Sequence, residues 1–197
     1  MASADIEKRL QSTDVNSGCD IALDRGKNAE SERFLLFTPP IYKLNYDLAY
    51  SWERYMTGLG VKTVADLNKF QLCGINSYDY GSLEKQLKIR RVASIKDAVF
   101  DLKNKSCDGF IAEAVTMKYG QRMNSYQVPP VGCVRLEGTS KNYYIGIAKH
   151  TEGASQLVVK FQQQLAVLSA KDGAVSKLTE DYDVTPMTCQ ETIKVTP

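Results

Sequence analysis

Five polar or charged residues stand where predicted strands end, which places them well for binding a small molecule. They are Asp24, Arg25, Asn76, Ser77 and Glu113. In folds that alternate strands with helices, ligands bind beyond the carboxyl ends of the strands, next to helix N-termini. Charged groups pair with carboxylates and guanidinium groups, and hydroxyl and amide groups add hydrogen bonds. The pattern therefore predicts ligand contacts at these strand ends.

The elements that position these residues alternate along most of the chain, which predicts mostly parallel sheets covered by helices. Strands are predicted over 19–23, 34–37, 44–52, 71–75, 110–112, 131–136 and 143–148, with strand character again at 192–195. Helices are predicted over 4–12, 64–69, 95–103 and 114–122, from about 155 onward, and finally up to Tyr182. A further helix carries Leu83 and Leu87 and ends at Arg90 and Arg91.

Two segments of the chain resemble each other, 16–24 and 104–113. Each has a polar turn, a Cys-Asp pair (Cys19 and Cys107 are the cysteines), a short apolar run and then an acidic residue. Each also follows a predicted amphipathic helix. Such a repeat, at the separation of segments 16–24 and 104–113, predicts two similar α/β lobes. A cleft between lobes is a preferred place for a small ligand. Asp20 and Asp108 themselves are interpreted as turn residues that precede strands.

Composition excludes several classes of function. The 197 residues include 25 Lys and Arg against 23 Asp and Glu, a net charge of +2. Because both signs are interspersed, nucleic acid is not expected as a partner. The longest apolar runs have the length of strands, so no membrane span is predicted. Five cysteines without a C-x-x-C pair, and His150 as the only histidine, argue against zinc and against Cys-His catalysis. No metal or cofactor is expected.

Landmarks in order along the chain resemble a known family. They are Cys-Asp-Ile-Ala-Leu (19–23), Ser-Glu-Arg-Phe-Leu-Leu-Phe-Thr-Pro-Pro-Ile-Tyr (31–42), Val-Ala-Asp-Leu (64–67), Gly-Ile-Asn-Ser-Tyr (74–78), Cys-Asp-Gly-Phe-Ile-Ala-Glu (107–113) and Tyr-Tyr-Ile-Gly-Ile-Ala-Lys (143–149). Together they resemble the type II periplasmic solute-binding proteins, in particular the amino-acid-binding family of ABC importers. The ligand-binding domain of ionotropic glutamate receptors is a more distant resemblance. The interval 32–42 is also similar to solute-binding-like proteins associated with methanol dehydrogenases.

The resemblance implies an α/β, two-lobed type II fold with mostly parallel sheets flanked by helices. Residues 1–50 would form part of lobe 1 and 51–142 lobe 2. Residues 143–182 would supply a returning strand and the C-terminal helices, and 183–197 a tail. The first lobe is expected to be incomplete, because the family's first strand, first helix and second strand have no counterpart. A homodimer formed through this incomplete lobe is one expectation.

The resemblance also implies roles for individual residues. Arg33 matches the arginine that clamps the solute carboxylate, Ser77 the hydroxyl at a helix start, and Glu113 the acid that holds the ammonium group. Asn76 and Tyr78 complete the set in lobe 2. The interval from Arg33 to Phe37 is about two residues shorter than usual, so Arg25, with Asp24 beside it, is the alternative in lobe 1.

Plainer interpretations of the same residues stay open. Arg33 can instead form a surface ion pair with Glu30 or Glu32. Ser77 is expected to cap a helix in any case. Glu113 can be an acid in the first turn of a helix, where the helix dipole favours it.

The cysteines favour an oxidising compartment. By resemblance to the glutamate-receptor relatives, Cys133 and Cys189 are expected to pair, which would tie the C-terminal tail to lobe 2. Cys19, Cys73 and Cys107 are expected to be buried thiols at strand positions. The chain starts directly with a charged helix, and we expect that a signal peptide has been removed.

The resemblance implies a periplasmic or extracellular receptor. It would close on an amino acid or a similar small polar solute and work with the membrane permease of an ABC importer. The alternative is a reduced scaffold that no longer binds solute and acts as an accessory or protein-interaction module. Catalysis is not expected, because no acid-base partner for Glu113 is evident.

Overall fold

The computed structural model describes residues 3–14, 18–170 and 187–196. The helices within them are α1 (Ser3–Gln11), α2 (Ser31–Phe34), a 3-10 helix (Val64–Lys69), α3 (Leu83–Gln86), α4 (Ile95–Lys103), α5 (Ala114–Arg122) and α6 (Ala154–Ala170). The strands are β1 (Ile21–Arg25), β2 (Leu35–Phe37), β3 (Tyr42–Leu44), β4 (Asp47–Ser51), β5 (Leu72–Ile75), β6 (Ile89–Val92), β7 (Gly109–Ala112), β8 (Val131–Glu137), β9 (Lys141–Ala148) and β10 (Glu191–Lys194).

The chain divides into two compact units, each assembled from two separate segments. Unit 1 consists of Met1–Leu44 and Lys141–Leu178, and unit 2 of Asn45–Ser140 and Thr179–Pro197. Strand β4 lies in unit 2, although the sequence-based division assigned residues up to 50 to the first lobe. Each unit has its own sheet and its own core.

In unit 1, the long strand β9 pairs with β1, β2 and β3, and all three pairs are antiparallel. Leu10 of α1 packs with Ala22 and Leu35 on one face of this sheet. On the other face, Phe161 of α6 packs against a cluster that contains Ile145 and Ile147 of β9. The prediction of mostly parallel strands is therefore wrong for the described strands of unit 1, because β9 returns against each of its neighbours.

In unit 2, six strands form one sheet in the order β10-β8-β4-β7-β5-β6. Three of the five strand pairs are parallel, namely β10-β8, β5-β7 and β5-β6. Every residue of β4, β5 and β7 is buried, as expected for central strands that are covered on both faces. The mostly parallel, helix-flanked sheet predicted from the alternating pattern is confirmed in this unit.

Three helices of unit 2, the 3-10 helix, α4 and α5, begin where the sequence pattern predicts. Ser94 caps α4, and its hydroxyl accepts a hydrogen bond of 3.2 Å from the N–H of Asp97. Thr63 and Asp66 form a capping box at the start of the 3-10 helix. The predicted bounds of α4 and α5 are confirmed. The apolar face of α4 lies in the core of the unit.

The predicted helix ending at Arg90 and Arg91 is wrong in its second half. The helix is a single turn, Leu83–Gln86, and Ile89–Val92 forms the edge strand β6, which pairs parallel with β5. Leu83 and Leu87 are buried as predicted. Residues 89–92 form a strand because the backbone of β5 offers them hydrogen-bonding partners. This tertiary pairing outweighs the local helix propensity of the segment.

Two disulfides lie in unit 2. Cys133 and Cys189, the pair implied by the family resemblance, have Cα atoms 4.5 Å apart and are bonded. Cys73 and Cys107 also form a disulfide, with Cα atoms 6.0 Å apart, so the expectation that they are thiols is wrong. They meet because β5 and β7 are adjacent parallel strands. Cys19 is unbonded and half-buried.

Two acids, the buried Asp108 and the half-buried Glu191, fix the ends of strands in unit 2. Asp108, just before β7, accepts hydrogen bonds from the Tyr55 hydroxyl at 2.8 Å and the Gln71 N–H at 2.7 Å. It also pairs with Arg54 at 2.6 Å. Glu191, in β10, accepts from the N–H groups of Leu59 and Val61 at 2.7 and 2.9 Å. These contacts give both residues a structural role.

Within the ranges 3–14, 18–170 and 187–196, no helix is both long enough and apolar enough to cross a membrane. The predicted short helix ending at Tyr182 lies outside the described residues. The predicted strand character at 192–195 is confirmed as β10, which extends the sheet of unit 2 next to β8.

Candidate functional site

The carboxyl ends of β5 and β7 meet at one edge of the sheet in unit 2, because the two strands are adjacent and parallel. Asn76, Ser77 and Tyr78 follow β5, and Glu113 follows β7. The hydroxyl of Tyr78 lies 3.3 Å from Oε2 of Glu113. The structure thus brings together the four candidate residues that the sequence placed in the second lobe.

Glu113 is the centre of this edge. Only 6% of its surface is exposed, which is unusual for a residue with a carboxyl group. Oε2 accepts hydrogen bonds from the hydroxyl groups of Thr116, at 2.9 Å, and Tyr78. Glu113 is also the N-cap of α5, whose positive end favours a negative charge at this position. A carboxylate held in this way presents negative charge in a low-dielectric setting.

Three tyrosine rings pack together beside Glu113. Tyr46 and Tyr80 are almost completely buried, with ring centroids 5.0 Å apart, and the ring of Tyr78 stacks on Tyr46 at 5.7 Å. Tyr46 reaches the edge because β4 runs antiparallel to β7 and Asp47 lies opposite Ala112. Sequence reasoning did not connect Tyr46 with Glu113.

Burial and the negative charge of Glu113 both keep these phenols protonated. Burial, followed by the Glu113 charge, raises the pKa of Tyr46 and of Tyr78 well above the ordinary tyrosine value of 10.0. Burial raises the pKa of Tyr80 to about 12, although the Ile75 N–H and Arg91 oppose the shift. The phenols therefore remain neutral hydrogen-bond donors around a buried carboxylate.

Arg91 holds the loop that carries Asn76, Ser77 and Tyr78. Its Nη1 donates hydrogen bonds to the carbonyl oxygens of Ile75 and Tyr78 at 2.7 and 2.8 Å. Its guanidinium also pairs with Glu84 and lies over the Tyr80 ring, 4.6 Å from the centroid. Sequence reasoning missed Arg91 because it assigned this residue to the end of a helix. The contact depends on the pairing of β6 with β5, which places Arg91 opposite Gly74 and which local sequence patterns do not reveal.

Ser77 is not a helix cap. The helix that follows begins at Leu83 with Ser82 at the N-cap, and Ser77 lies in an exposed turn in which the Tyr78 N–H bonds to the Ile75 carbonyl at 3.1 Å. The loop is longer than predicted because the chain continues through Tyr80 before the helix starts. The hydroxyl of Tyr80 bridges two strands, accepting from the Ile75 N–H at 2.7 Å and donating to the Ile111 carbonyl at 2.8 Å.

Comparison with protein families and with curated proteins gives no match. Comparison with solved structures does. An ancestral cationic amino acid solute-binding protein, AncCDT-1, superposes with a TM-score of 0.66 at 17% identity, over 92% of this chain and 75% of that one. The substrate-binding protein AbpA from Streptococcus pneumoniae, bound to L-arginine, gives 0.62 at 17% identity, over 86% and 70%. The GluR0 ligand-binding core with L-glutamate gives 0.63 at 13%, over 91% and 88%.

The chain has the type II periplasmic-binding-protein-like fold. This confirms the fold implied by the sequence landmarks. Other structures with this fold include a substrate-binding protein from Streptococcus pneumoniae with bound histidine. At these identities the likeness establishes the fold alone. The function therefore depends on the residues of this chain.

Within this fold, Asp24 and Arg25 lie at the end of β1 in unit 1. Arg25 pairs with Glu7 of α1 at 2.6 Å, and only 12% of its side chain is exposed. Asp24 has a positive φ of 57° and accepts a hydrogen bond of 2.7 Å from the hydroxyl of Tyr42. Both residues therefore stabilise the edge of the unit 1 sheet.

Arg33 lies at the other end of the same sheet. Arg25 is opposite Tyr144 in β9, whereas Leu35, two residues after Arg33, is opposite Ala148. Four residues of a strand span about 13 Å, so the two arginines are far apart along β9. They cannot both clamp one small carboxylate. Neither Glu30 nor Glu32 forms an ion pair with Arg33 within the described residues, and Glu32 pairs with Lys27 instead.

Among the described residues of unit 2, two groups of three side chains have the spacing of metal ligands. They are Asp47 with Cys133 and Cys189, and Asp101 with Cys73 and Cys107. In both groups the two sulfur atoms are bonded to each other, and a disulfide offers no thiolate to a metal. An arginine also accompanies each group, because Arg135 bonds to Asp47 and Arg90 to Asp101. These clusters are structural.

Proposed function

We propose that the protein is a receptor for an amino acid or a similar small solute, and that Glu113 binds the ammonium group of that solute. The observation that carries the proposal is a carboxyl group that is 6% exposed, at the carboxyl end of a parallel strand, with the hydroxyl groups of Tyr78 and Thr116 on it. Ligands of α/β folds bind at this position.

The chemistry favours an ammonium group over an anion or a neutral group. A buried carboxylate repels anions, and a cation replaces its lost hydration with a charge-assisted hydrogen bond. The half-buried ring of Tyr78 adds a π surface that attracts cations. The amino acids bound in other structures with this fold, arginine, histidine and glutamate, all carry such a group.

The proposal extends to the surroundings of the protein. Two disulfides fit an oxidising compartment, periplasmic or extracellular. There the receptor would pass its solute to the membrane permease of an ABC importer, as proposed from the sequence. Asn76 and Ser77, which are exposed beside Tyr78, are the further candidates for solute contact.

The test is isothermal titration with a panel of amino acids, followed by the variant Glu113→Gln. A solute is expected to bind the unaltered protein and to bind Glu113→Gln about 10- to 100-fold more weakly, because one charge-assisted hydrogen bond is lost. The same solute without its amino group should bind both proteins equally weakly. The matched control is Glu53→Gln, which makes the same chemical change at an exposed position of unit 2.

If no amino acid of the panel bound the well-folded protein, the proposal would be overturned. The result would favour the alternative, an accessory scaffold that no longer binds solute. Tight binding that is unchanged in Glu113→Gln would keep the receptor but refute the role of Glu113. Circular dichroism of each variant separates both results from loss of folding.

A further inference from the structure

A groove of about 490 Å³ lies at the amino ends of strands β5 and β6 in unit 2. Its lining includes Asn68, Phe70, Gln71, Lys88, Arg90 and Ser106. Gln71 directly precedes β5 and Lys88 directly precedes β6, whereas Glu113 follows the opposite end of β7. Because these three strands are parallel, the groove and Glu113 lie at opposite ends of one sheet, and a four-residue strand spans about 13 Å. The volume is within the range of about 300–1,000 Å³ that is typical of small-molecule sites.

Side-chain hydrogen bonds hold the segments that line this groove. The side-chain amide of Asn68 donates to the carbonyl of Gln86 at 2.9 Å and accepts from the N–H of Lys88 at 3.3 Å. The N–H of Gln71 donates to the carboxylate of Asp108 at 2.7 Å, and the Gln71 carbonyl accepts from the Asp108 N–H at 2.7 Å. The lining is therefore ordered before a ligand arrives.

The charge of the lining is positive. Lys88 and Arg90 are its charged residues, and no acidic residue of the described part of unit 2 lines the groove. Asp101 pairs with Nη2 of Arg90 at 2.7 Å, which leaves the N–H groups at Nε and Nη1 of this arginine for a ligand. The Lys88 ammonium has no carboxylate within ion-pair distance among residues 3–14, 18–170 and 187–196. The groove thus combines one uncompensated positive charge with further N–H donors.

An apolar surface accompanies these charges. Phe70, Leu72 and Ile89 contribute to the lining, and all three also pack in the main core of unit 2. The half-buried ring of Phe70 packs edge-on against Tyr55, with ring centroids 5.4 Å apart. This contact fixes the ring as a wall against which an apolar group of a ligand can be buried favourably.

We propose that this groove binds a small organic anion, whose carboxylate or phosphate group pairs with Lys88 and Arg90 while its apolar part lies against Phe70. The arginine N–H groups bond to the oxygen atoms of such an anion, and the lysine adds a point charge. The Gln71 amide and the Ser106 hydroxyl supply neutral hydrogen-bond donors. The proposal is independent of the receptor function, because it requires no amino group in the ligand.

The test is isothermal titration of the full chain with phenylacetate and, separately, with phenyl phosphate at constant ionic strength. Saturable binding of at least one of them is expected, and the probe that binds assigns a carboxylate or a phosphate ligand. The neutral analogue phenylacetamide lacks the charge, and inorganic phosphate lacks the apolar part, so both should bind at least about tenfold more weakly. Equal affinity for either of these two controls would overturn the proposal, as would the absence of saturable binding of both aromatic anions.

Two variants locate the binding in the groove. Lys88→Gln should weaken it about tenfold, because a charge-assisted hydrogen bond is lost. Gln71→Glu should weaken it about threefold, because it adds a repelling carboxylate at an exposed position. The matched control is Lys96→Gln, which removes one positive charge from an exposed position at the start of α4, after the opposite end of β6. It should leave the affinity unchanged.

Equal weakening in Lys88→Gln and Lys96→Gln would show general charge attraction and overturn the proposal. Glu113→Gln should leave the binding of these anions unchanged, so the two proposed sites succeed or fail separately. Binding that is lost in Glu113→Gln and kept in Lys88→Gln would place the anion at the other end of the strands and refute the groove as its site. Circular dichroism of each variant separates these results from loss of folding.

Discussion

The two Cys-Asp segments, 16–24 and 104–113, resemble each other in sequence but differ in disulfide bonding and in burial. In the first, Cys19 is unbonded and Asp20 is exposed, accepting one hydrogen bond of 2.7 Å from the Thr151 hydroxyl. In the second, Cys107 is bonded and 1% exposed, and Asp108 is 8% exposed. The strand that follows is mostly exposed in the first case and completely buried in the second.

The difference comes from the neighbours of each strand. Strand β7 lies between β4 and β5, so both of its edges and both of its faces are covered. Strand β1 has β9 as its one described neighbour, and its register shifts between Ala22 and Arg25. The shift and the positive φ of Asp24 twist this edge, which hinders further pairing. The same short motif is therefore a core element in one unit and an edge element in the other.

Substitutions of the cysteines are expected to give the largest difference in stability between the two segments. The double variant Cys73→Ala, Cys107→Ala should lower the free energy of unfolding by about 3–4 kcal/mol, because a cross-link across a separation of 34 residues is lost. Cys19→Ala should cost less than about 1 kcal/mol. Urea unfolding of both variants measures the difference, and equal losses would contradict the comparison.

The aspartates should show the next largest contrast. Asp108→Ala removes the partner of Arg54, Tyr55 and the Gln71 N–H and should cost about 2–4 kcal/mol. Asp20→Ala loses one exposed hydrogen bond and should cost less than about 1 kcal/mol. Thermal unfolding measures both variants. Equal melting temperatures would contradict the different roles assigned to Asp108 and Asp20.

The glycines test how tightly each region is packed. A Cβ at Gly74 would lie 2.5 Å from Cγ2 of Ile89 and 2.8 Å from Cε2 of Tyr80. Gly74→Ala should therefore cost about 1–3 kcal/mol and displace the Tyr80 ring. Gly26, directly after β1, has no atom within 4 Å of such a Cβ, so Gly26→Ala should be nearly neutral. Calorimetric unfolding, with near-ultraviolet circular dichroism for the tyrosines, checks both.

The smallest effect concerns alkaline pH. The pKa of Tyr80 is about 12 in the folded state, above the ordinary value of 10.0. Between these values the unfolded chain releases the proton and the folded chain keeps it, so stability is full below pH 10 and falls as pH rises toward 12. The loss at pH 11 should be about 1 kcal/mol for this residue.

Tyr80→Phe is the control for that pH dependence. The variant loses two hydrogen bonds, so it should be less stable at every pH, but its stability should fall less steeply above pH 10. Urea unfolding at a series of pH values measures both slopes. An identical slope in the two proteins would contradict the proposed origin of the effect.

The elements that the sequence predicted well carry local signals. The helices α4 and α5 have their predicted bounds, because a capping serine or a change of polarity marks each start and an apolar face continues behind it. The segment 89–92 was missed because its strand depends on an open edge of β5, a feature that lies far away in sequence. Local periodicity contains no information about such a partner.

The residues of the candidate site also fall into those that local sequence patterns predict and those that depend on distant strand pairing. Glu113 and Tyr78 could be placed at strand ends from the sequence, and the parallel pairing of β5 with β7 brings them together. Tyr46, Tyr80 and Arg91 required knowledge of the antiparallel β4 and of the edge strand β6. The Cys73–Cys107 pairing required the same knowledge, because a disulfide partner cannot be deduced from spacing alone.

The discontinuity of unit 2 has a consequence for synthesis. Strand β10 completes the sheet next to β8, yet the segment 141–178 of unit 1 comes between them in the chain. A nascent chain therefore exposes the edge of β8 until residue 191 has been made, whatever has already folded. Only then can Glu191 reach the N–H groups of Leu59 and Val61. Pairing of β10 with β8 therefore cannot precede the synthesis of residues 191–194, and the Cys133–Cys189 disulfide cannot form before residue 189 has been made.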